Sequence, residues 1–409
     1  MASLVCGRLT KRLRVSFHVQ FRRVQTTVDT QPIELHGKPS NSSQPITLKL
    51  QEDSFRAHNC EIPSLEVQVT KGELLTMYKE MQTIRRMEMA AEALYKAELV
   101  RGYCHLAIGQ EAISVGLEHG IDKNDRVITA YRCHPFAVMR GGTVKGVIGE
   151  LLGRQCGISR GRGGSMHLFT PTFFGGNAIV GAQVSVGAGV AFAQKYRSEK
   201  HCTFALYGDG ASNQGQVFEA FNMAKLWNLP CVFSCENNKY GMATAAARSS
   251  SNPEYFTRSD KIPGLQVNGM DIIAVKQAVE WARKWTVEEG KGPLLLEFVT
   301  YRYGGHSVSF VSSMDDPDST YRTYEEIQRM RSTRDPIRGL QRYIEDWGLA
   351  TDQELKQLDK EAKVEVDAAV VEAKRSPEPL AVDLWSDIYS KGNEPPFMRG
   401  REREEVHHY

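Results

Sequence analysis

Over residues 71–100, apolar side chains recur at three- and four-residue steps: Leu74, Met77, Met81, Ile84, Met87, Ala91 and Leu94. That spacing draws one apolar stripe along a helix. Arg85, Arg86, Glu88 and Glu92 are expected largely off the stripe. Methionine suits an adaptable contact surface or a core, and a core helix is the reading taken. From about 125 to 305 the pattern changes. Short apolar runs at 126–130, 202–207, 231–235 and 293–299 alternate with helical stretches at 182–196, 214–227 and 271–289. Apolar strands without clean alternation fit a parallel sheet covered on both faces. The expected fold class is therefore α/β, a parallel sheet flanked by helices. Asp271 is expected to cap the last of these helices. Beyond about 325 the chain is charged and helical, which predicts a helical C-terminal extension ending in a polar tail over 399–409. No repeat of fixed period is found.

The first 28 residues follow a different rule. They hold Arg8, Lys11, Arg12, Arg14, Arg22 and Arg23 and no acid before Asp29. Arg-rich, acid-poor and amphipathic is the pattern of a mitochondrial transit peptide, and basic residues interrupt every apolar run, which disfavours a secretory signal. The expected division is 1–28 transit peptide, 29–70 extended polar arm, 71–345 α/β domain, and 346–409 helical C-terminal segment and tail. The expected destination is the mitochondrial matrix. Hydrophobic residues are 41% and charged residues 24% of the 409, the range of a globular chain with a sizeable core. A net charge of +2 offers no field for a nucleic-acid partner. No apolar run is long enough to predict a membrane span. The eight cysteines are scattered without metal spacing, so reduced buried thiols are expected.

The most informative stretch is 202–242. An apolar strand ends in Tyr207-Gly208-Asp209-Gly210-Ala211, a helix follows, and a second apolar strand ends in Glu236-Asn237-Asn238-Lys239-Tyr240-Gly241. In a βαβ unit ligands bind outside the carboxyl ends of the strands, where Asp209 and Asn238 would lie. Mg²⁺ prefers hard oxygen ligands and takes one or two carboxylates, with phosphate and water completing its shell. Asp209 would supply a carboxylate, Asn238 an amide oxygen and Tyr240 its backbone carbonyl. The amides of Gly210 and Ala211, opening a helix, suit an anion. A lone Gly-Asp-Gly is weak evidence. Followed 29 residues after its Asp by the second Asn of a pair, with strand, helix and strand between, it matches the thiamin diphosphate fingerprint.

Over residues 60 to 395 the chain resembles the α subunits of pyruvate dehydrogenase, the E1 component. The match rests on Arg101-Gly102-Tyr103-Cys104-His105, Ile128-Thr129-Ala130-Tyr131-Arg132, Gly163-Gly164-Ser165-Met166-His167, Val180-Gly181-Ala182-Gln183, the fingerprint, and Tyr301-Arg302-Tyr303 with Gly305-His306-Ser307. The resemblance implies a thiamin diphosphate-binding fold with thiamin diphosphate and Mg²⁺ as cofactors. It implies attack on the keto carbon of pyruvate, loss of CO₂, and transfer of the two-carbon fragment to a lipoyl group of the E2 component. Tyr131 and Arg132 would contact the diphosphate, and a guanidinium suits phosphate oxygens. Ala178 and Val180 would lie on the aminopyrimidine side. His306 would stand near the reacting centre, where an imidazole can donate to or exchange a proton with a developing oxyanion. His105 would line the substrate entry. The implied assembly is an α₂β₂ heterotetramer with the E1 β subunit, served by the lipoyl domain of E2 and by a pyruvate dehydrogenase kinase and phosphatase.

Ser307 and Thr320 fall in the stretch resembling the family's phosphorylation loop, where a phosphate would add up to about two negative charges beside the site. The sequence departs from the family at four places. Gly304 stands where His is common, Ala178 replaces a glycine, and Ala245 replaces a serine. About six extra residues, 310–315, lengthen the loop after Ser309. These departures raise a second reading, a non-catalytic or weakly active subunit. A third is the α subunit of a branched-chain 2-oxo acid dehydrogenase.

Overall fold

The computed structural model describes residues 34–36, 44–308 and 321–409, all within the compact unit 32–409. The expected transit peptide, the inserted residues 310–315 and Thr320 lie outside them. The strands in chain order are β1 (Glu34–His36), β2 (Pro45–Lys49), β3 (Phe55–His58), β4 (Glu66–Thr70), β5 (Arg126–Ile128), β6 (Thr203–Gly208), β7 (Cys231–Asn237), β8 (Tyr240–Gly241), β9 (Thr244–Ala245), β10 (Gly264–Asn268), β11 (Leu294–Val299), β12 (Phe397–Arg399) and β13 (Val406–His408). The helices up to the sheet's last strand are α1 (Lys71–Lys96), α2 (Glu111–Gly120), α3 (His134–Met139), α4 (Val144–Leu151), α5 (Ala182–Tyr196), α6 (Gly215–Leu226), α7 (Ala246–Ser249) and α8 (Ile272–Arg283).

The central sheet runs β3-β10-β11-β7-β6-β5. Its neighbours pair in parallel except β3, which is antiparallel to β10. Alternate residues of its strands feed two separate cores. Phe204, Leu206, Val232, Leu294 and Leu296 enter one; Ala205, Tyr207, Cys231, Phe233 and Leu295 enter the other. Side chains alternate across a strand, so both faces must be covered, which is why these runs are apolar throughout. α5 lies close over one face. A Cβ at Gly187 would come within 2.6 Å of Ala205 Cβ, so the close approach requires glycine there.

α1 buries Leu74, Met77, Met81, Ile84, Met87, Ala91 and Leu94 as the spacing predicts, and Thr70 caps it by accepting from the Glu73 amide. Asp271 caps α8 by accepting from Ile273 and Ala274. Glu88, expected off the apolar stripe, is instead fully buried and hydrogen-bonded. The segment expected to be an extended arm is folded in. β1, β2 and β4 form an antiparallel sheet, β3 joins the main sheet, and Ile46, Leu48, Leu50, Phe55, Val67 and Val69 are buried. The C-terminal helices Pro336–Asp346 and Asp352–Arg375 appear as expected, but the polar tail folds into the β12–β13 hairpin. The seven described cysteines are free. Among the described residues, no helix is long and apolar enough to cross a membrane.

Candidate active site

Four adjacent parallel strands deliver the site at their carboxyl ends, the expected place for a ligand in such a sheet. β5 leads to Tyr131 and Arg132, β6 to Asp209, β7 to Asn238 and Tyr240, and β11 to Arg302 and His306. These residues line one cavity of about 270 Å³, together with Gln110, Val180, Gln183, Gly210, Ala211 and Glu236. Asp209, Arg132, Asn238 and Ala211 are buried; Tyr131, Tyr240 and His306 are partly so.

The expected metal ligands converge. Arg302 Nη1 donates to Asn238 Oδ1 and to Tyr240 O, 3.2 Å from each. Two of the three oxygens expected to hold Mg²⁺ thus already face a cation. Burial raises the Asp209 carboxyl above its ordinary range, and Arg302 opposes the shift. Among the described residues no trio of His, Cys, Asp or Glu side chains is placed to hold a metal. One carboxylate, one amide and one carbonyl make a hard but incomplete shell, which suits an ion that arrives with phosphate and water. A Cβ at Gly208 or Gly210 would meet no protein atom within 4 Å, so open space lies before both glycines. The Gln183 amide, only 1% exposed, has no protein partner at either polar atom. A polar group so buried calls for a ligand or water. The donor set, the open glycines and the waiting amide fit a Mg²⁺-bound diphosphate cofactor.

One local expectation changes. The helix after Asp209 does not begin at Gly210. A 3-10 turn over Ala211–Asn213 intervenes, and α6 starts at Gly215. The amides of Gly210 and Ala211 therefore belong to a tight turn rather than to a helix end.

Arg132 donates to Leu106 O at 2.9 Å and to His306 O at 2.6 Å. Burial and nearby Arg302 push its guanidinium down to about 9, so it stays charged at neutral pH. The rings of His105, Tyr131 and His306 pack together, with centroids 4.4 to 5.7 Å apart. Burial, with Arg132 adding to it, lowers His306 to about 2 and His105 to about 3. Both are neutral imidazoles here, and neither Nδ1 has a protein partner. Val180 stands at the cavity wall, whereas Ala178 is exposed and outside the lining. Ser307 is 1% exposed, its hydroxyl donating to Cys104 O at 3.1 Å.

Sequence reasoning missed Glu236, Gln183 and the roles of Arg302 and Arg322. Burial pushes Glu236 up to about 7. Arg322 donates to Arg302 O at 2.6 Å and Gly304 O at 2.9 Å, among the rings of Tyr240, Tyr301 and Tyr321. The position of Gln183 and Arg302 inside matching motifs was the available signal.

The model of the family described as "Dehydrogenase E1 component" matches residues 79–381. Three curated relatives are each called pyruvate dehydrogenase E1 component subunit alpha, mitochondrial. The one from Chaetomium thermophilum is 57% identical over 390 residues, covering 95% of this chain and 93% of the relative. That from Schizosaccharomyces pombe is 54% identical over 390 residues, covering 95% and 94%. That from Saccharomyces cerevisiae is 56% identical over 380 residues, covering 92% and 88%. With a match of this extent over a sheet whose four strand ends carry the expected site, the chain belongs to the dehydrogenase E1 component family.

Proposed function

We propose that the chain acts as the α subunit of a mitochondrial pyruvate dehydrogenase, in complex with an E1 β subunit and serving the lipoyl domain of E2. The observation that carries this reading is the convergence of Asp209, Asn238 Oδ1 and Tyr240 O at adjacent strand ends, two of them already engaged by Arg302. Asp209, Asn238 and Tyr240 would hold Mg²⁺. Tyr131, Arg132, Gly210 and Ala211 would hold the diphosphate, and Val180 with Gln183 would face the ring beyond it. Thiamin diphosphate, when bound, supplies the nucleophilic carbon and the electron sink for decarboxylating a 2-oxo acid.

The chain's own residues bind, orient and move protons. Arg132 clamps the His306 carbonyl and so fixes where that imidazole stands. His306, neutral and lacking a partner at Nδ1, can donate an N–H to a developing oxyanion or take up a proton. His105, expected at the substrate entry, is buried outside the cavity lining and meets the His306 ring edge-on, with centroids 5.4 Å apart. A kinase and a phosphatase acting at Ser307 and Thr320 belong to the same proposal.

The test is pyruvate-dependent decarboxylation by the chain without residues 1–28, co-expressed with a cognate β subunit and given thiamin diphosphate and Mg²⁺. Activity lost in Asp209→Ala and His306→Ala supports the reading. A folded complex that binds cofactor and does not turn over pyruvate overturns it in favour of a non-catalytic subunit.

A further inference from the structure

Behind the cavity wall lies a buried line of an acid, an imidazole and a hydroxyl. Glu88 Oε2 is 2.8 Å from His134 Nδ1, and His134 Nε2 is 2.9 Å from Ser165 Oγ. Glu88 and His134 are 0% exposed and Ser165 is 4%. The order is that of a hydrolytic triad, but Ser165 is sealed off and is not part of the cavity lining. The line therefore calls for another role, and its other contacts supply one.

Glu88 Oε1 accepts from the Ala107 amide at 3.1 Å. The preceding carbonyl, Leu106 O, accepts from Arg132 Nη1, and His105 is one residue further back. His134, held by Glu88 Oε2, stands two residues beyond Arg132. One carboxylate thus grips both the segment that carries Arg132 into the cavity and the 105–107 segment whose Leu106 carbonyl orients it. The contacts close a ring: Glu88, Ala107, Leu106, the Arg132 guanidinium, the chain to His134, and back to Glu88. Arg132 itself hydrogen-bonds to two backbone carbonyls, which orient the guanidinium and leave its charge for an anion.

We propose that Glu88 is a positioning residue for cofactor binding, holding Arg132 and the 105–107 segment in the geometry that receives the diphosphate. The proposal rests on the reading of Arg132 given above. The charge state agrees with it. Burial alone would lower His134, but the Glu88 carboxylate outweighs it and the net shift is upward. His134 Nδ1 faces the Glu88 carboxylate, and Nε2 lies within hydrogen-bond reach of the Ser165 carbonyl at 3.1 Å and of its hydroxyl, so both ring nitrogens have partners. A buried line that is satisfied throughout is stiff, and a half-satisfied one is costly.

The test measures the affinity of the α–β complex for thiamin diphosphate at fixed Mg²⁺, by titration of intrinsic fluorescence. Glu88→Met keeps the volume and removes both acceptors. Glu88→Gln keeps an acceptor for Ala107, and its amide can donate to a neutral His134. Glu88→Met is expected to weaken cofactor binding roughly tenfold or more, while Glu88→Gln stays within about threefold of the parent. In an Arg132→Lys background the Glu88→Met effect is expected to shrink below about threefold, because both changes disturb one contact. Should Glu88→Met fail to assemble, Ser165→Ala removes only the far hydroxyl and is expected to weaken binding by a factor of about two to five.

Unchanged affinity in Glu88→Met, or in Ser165→Ala where that variant stands in, overturns the proposal. So does an equal loss in Glu88→Met and Glu88→Gln, or a full tenfold loss retained in the Arg132→Lys background. Arg132→Lys alone separates the two readings. If it leaves affinity untouched, the assignment of Arg132 fails and this proposal falls with it. If Arg132→Lys weakens binding and Glu88→Met does not, only this proposal fails.

Discussion

Arg302 places one guanidinium nitrogen 3.2 Å from Asn238 Oδ1, the amide oxygen expected to bind Mg²⁺. The same nitrogen reaches Tyr240 O at an equal distance. A cation of the chain therefore competes with the metal for two of its three protein oxygens. A bare divalent ion gains little by entering, whereas one arriving with diphosphate brings its own phosphate ligands and offsets the positive field of Arg132 and Arg302. Mn²⁺, followed by its electron paramagnetic resonance signal, is expected to bind the complex at least about tenfold more tightly with thiamin diphosphate present than without it. Arg302→Met is expected to narrow that difference by raising the affinity for Mn²⁺ alone. Equal Mn²⁺ affinity with and without the diphosphate would remove the competition argument.

Ser307 is buried with its hydroxyl on Cys104 O, and the adjacent His306 carbonyl is held by Arg132. A carboxylate at 307 would face a carbonyl oxygen in a site with little water, so the segment must leave and carry His306 with it. Ser307→Asp is expected to cut pyruvate turnover by on the order of 10² or more, in line with losing a positioned proton donor. Ser307→Ala gives up the hydroxyl's bond to Cys104 O, about 1 kcal/mol, and should keep activity within a few-fold. Full activity in Ser307→Asp would end the case for control by phosphate at this position.

Gly304, where the family commonly has His, has room for a side chain. A Cβ there would meet nothing within 4 Å. Its carbonyl is fixed from outside by Arg302 Nε at 3.1 Å and Arg322 Nη2 at 2.9 Å, so the backbone holds its place whatever the side chain. Gly304→His is expected to change stability by less than about 0.5 kcal/mol and activity by only a few-fold. A tenfold rise in activity would instead show the glycine to be a handicap and favour the weakly active reading.

The parts of the fold legible in the sequence are those with short-range causes. Four of the six strands of the main sheet, β5, β6, β7 and β11, announced themselves as apolar runs because both faces are covered, whereas β10 did not. Asp271 and the α1 stripe follow from local capping and helical period. Asp209 and Asn238 were legible because each directly follows a strand, and strand ends are where ligands sit. What was hidden depends on partners far along the chain. Ile46, Leu48, Val67 and Val69 carry a period-two signal, but each run is too short to stand out until β2 and β4 pair. β3 belongs to the main sheet only through β10, some two hundred residues on. Glu88 interrupts an apolar face, and only its contacts with His134 and Ala107 explain a charge there.

His119 on α2 joins two helices through charge, and its titration should be visible in stability. Its Nε2 lies 2.7 Å from Glu80, and Nδ1 lies 3.9 Å from Glu73, both on α1; Lys276 on α8 reaches Glu73 at 3.4 Å. Burial alone would lower His119, but the hydrogen bond to Glu80 and the nearby Glu73 carboxylate outweigh it and raise the imidazole to about 9. A folded value above the unfolded one, about 6.5, means that the protonated form is favoured by folding. The contribution is present in full below about pH 6.5 and is lost as pH climbs to about 9. Its size is on the order of 2 kcal/mol, given about 1.4 kcal/mol per unit and partial solvent screening. Urea unfolding of the complex should therefore show His119→Gln destabilised by about that amount at pH 6 and by much less at pH 9.5. A gap between parent and variant that stays constant over this range would mean that His119 contributes packing and hydrogen bonds without its charge.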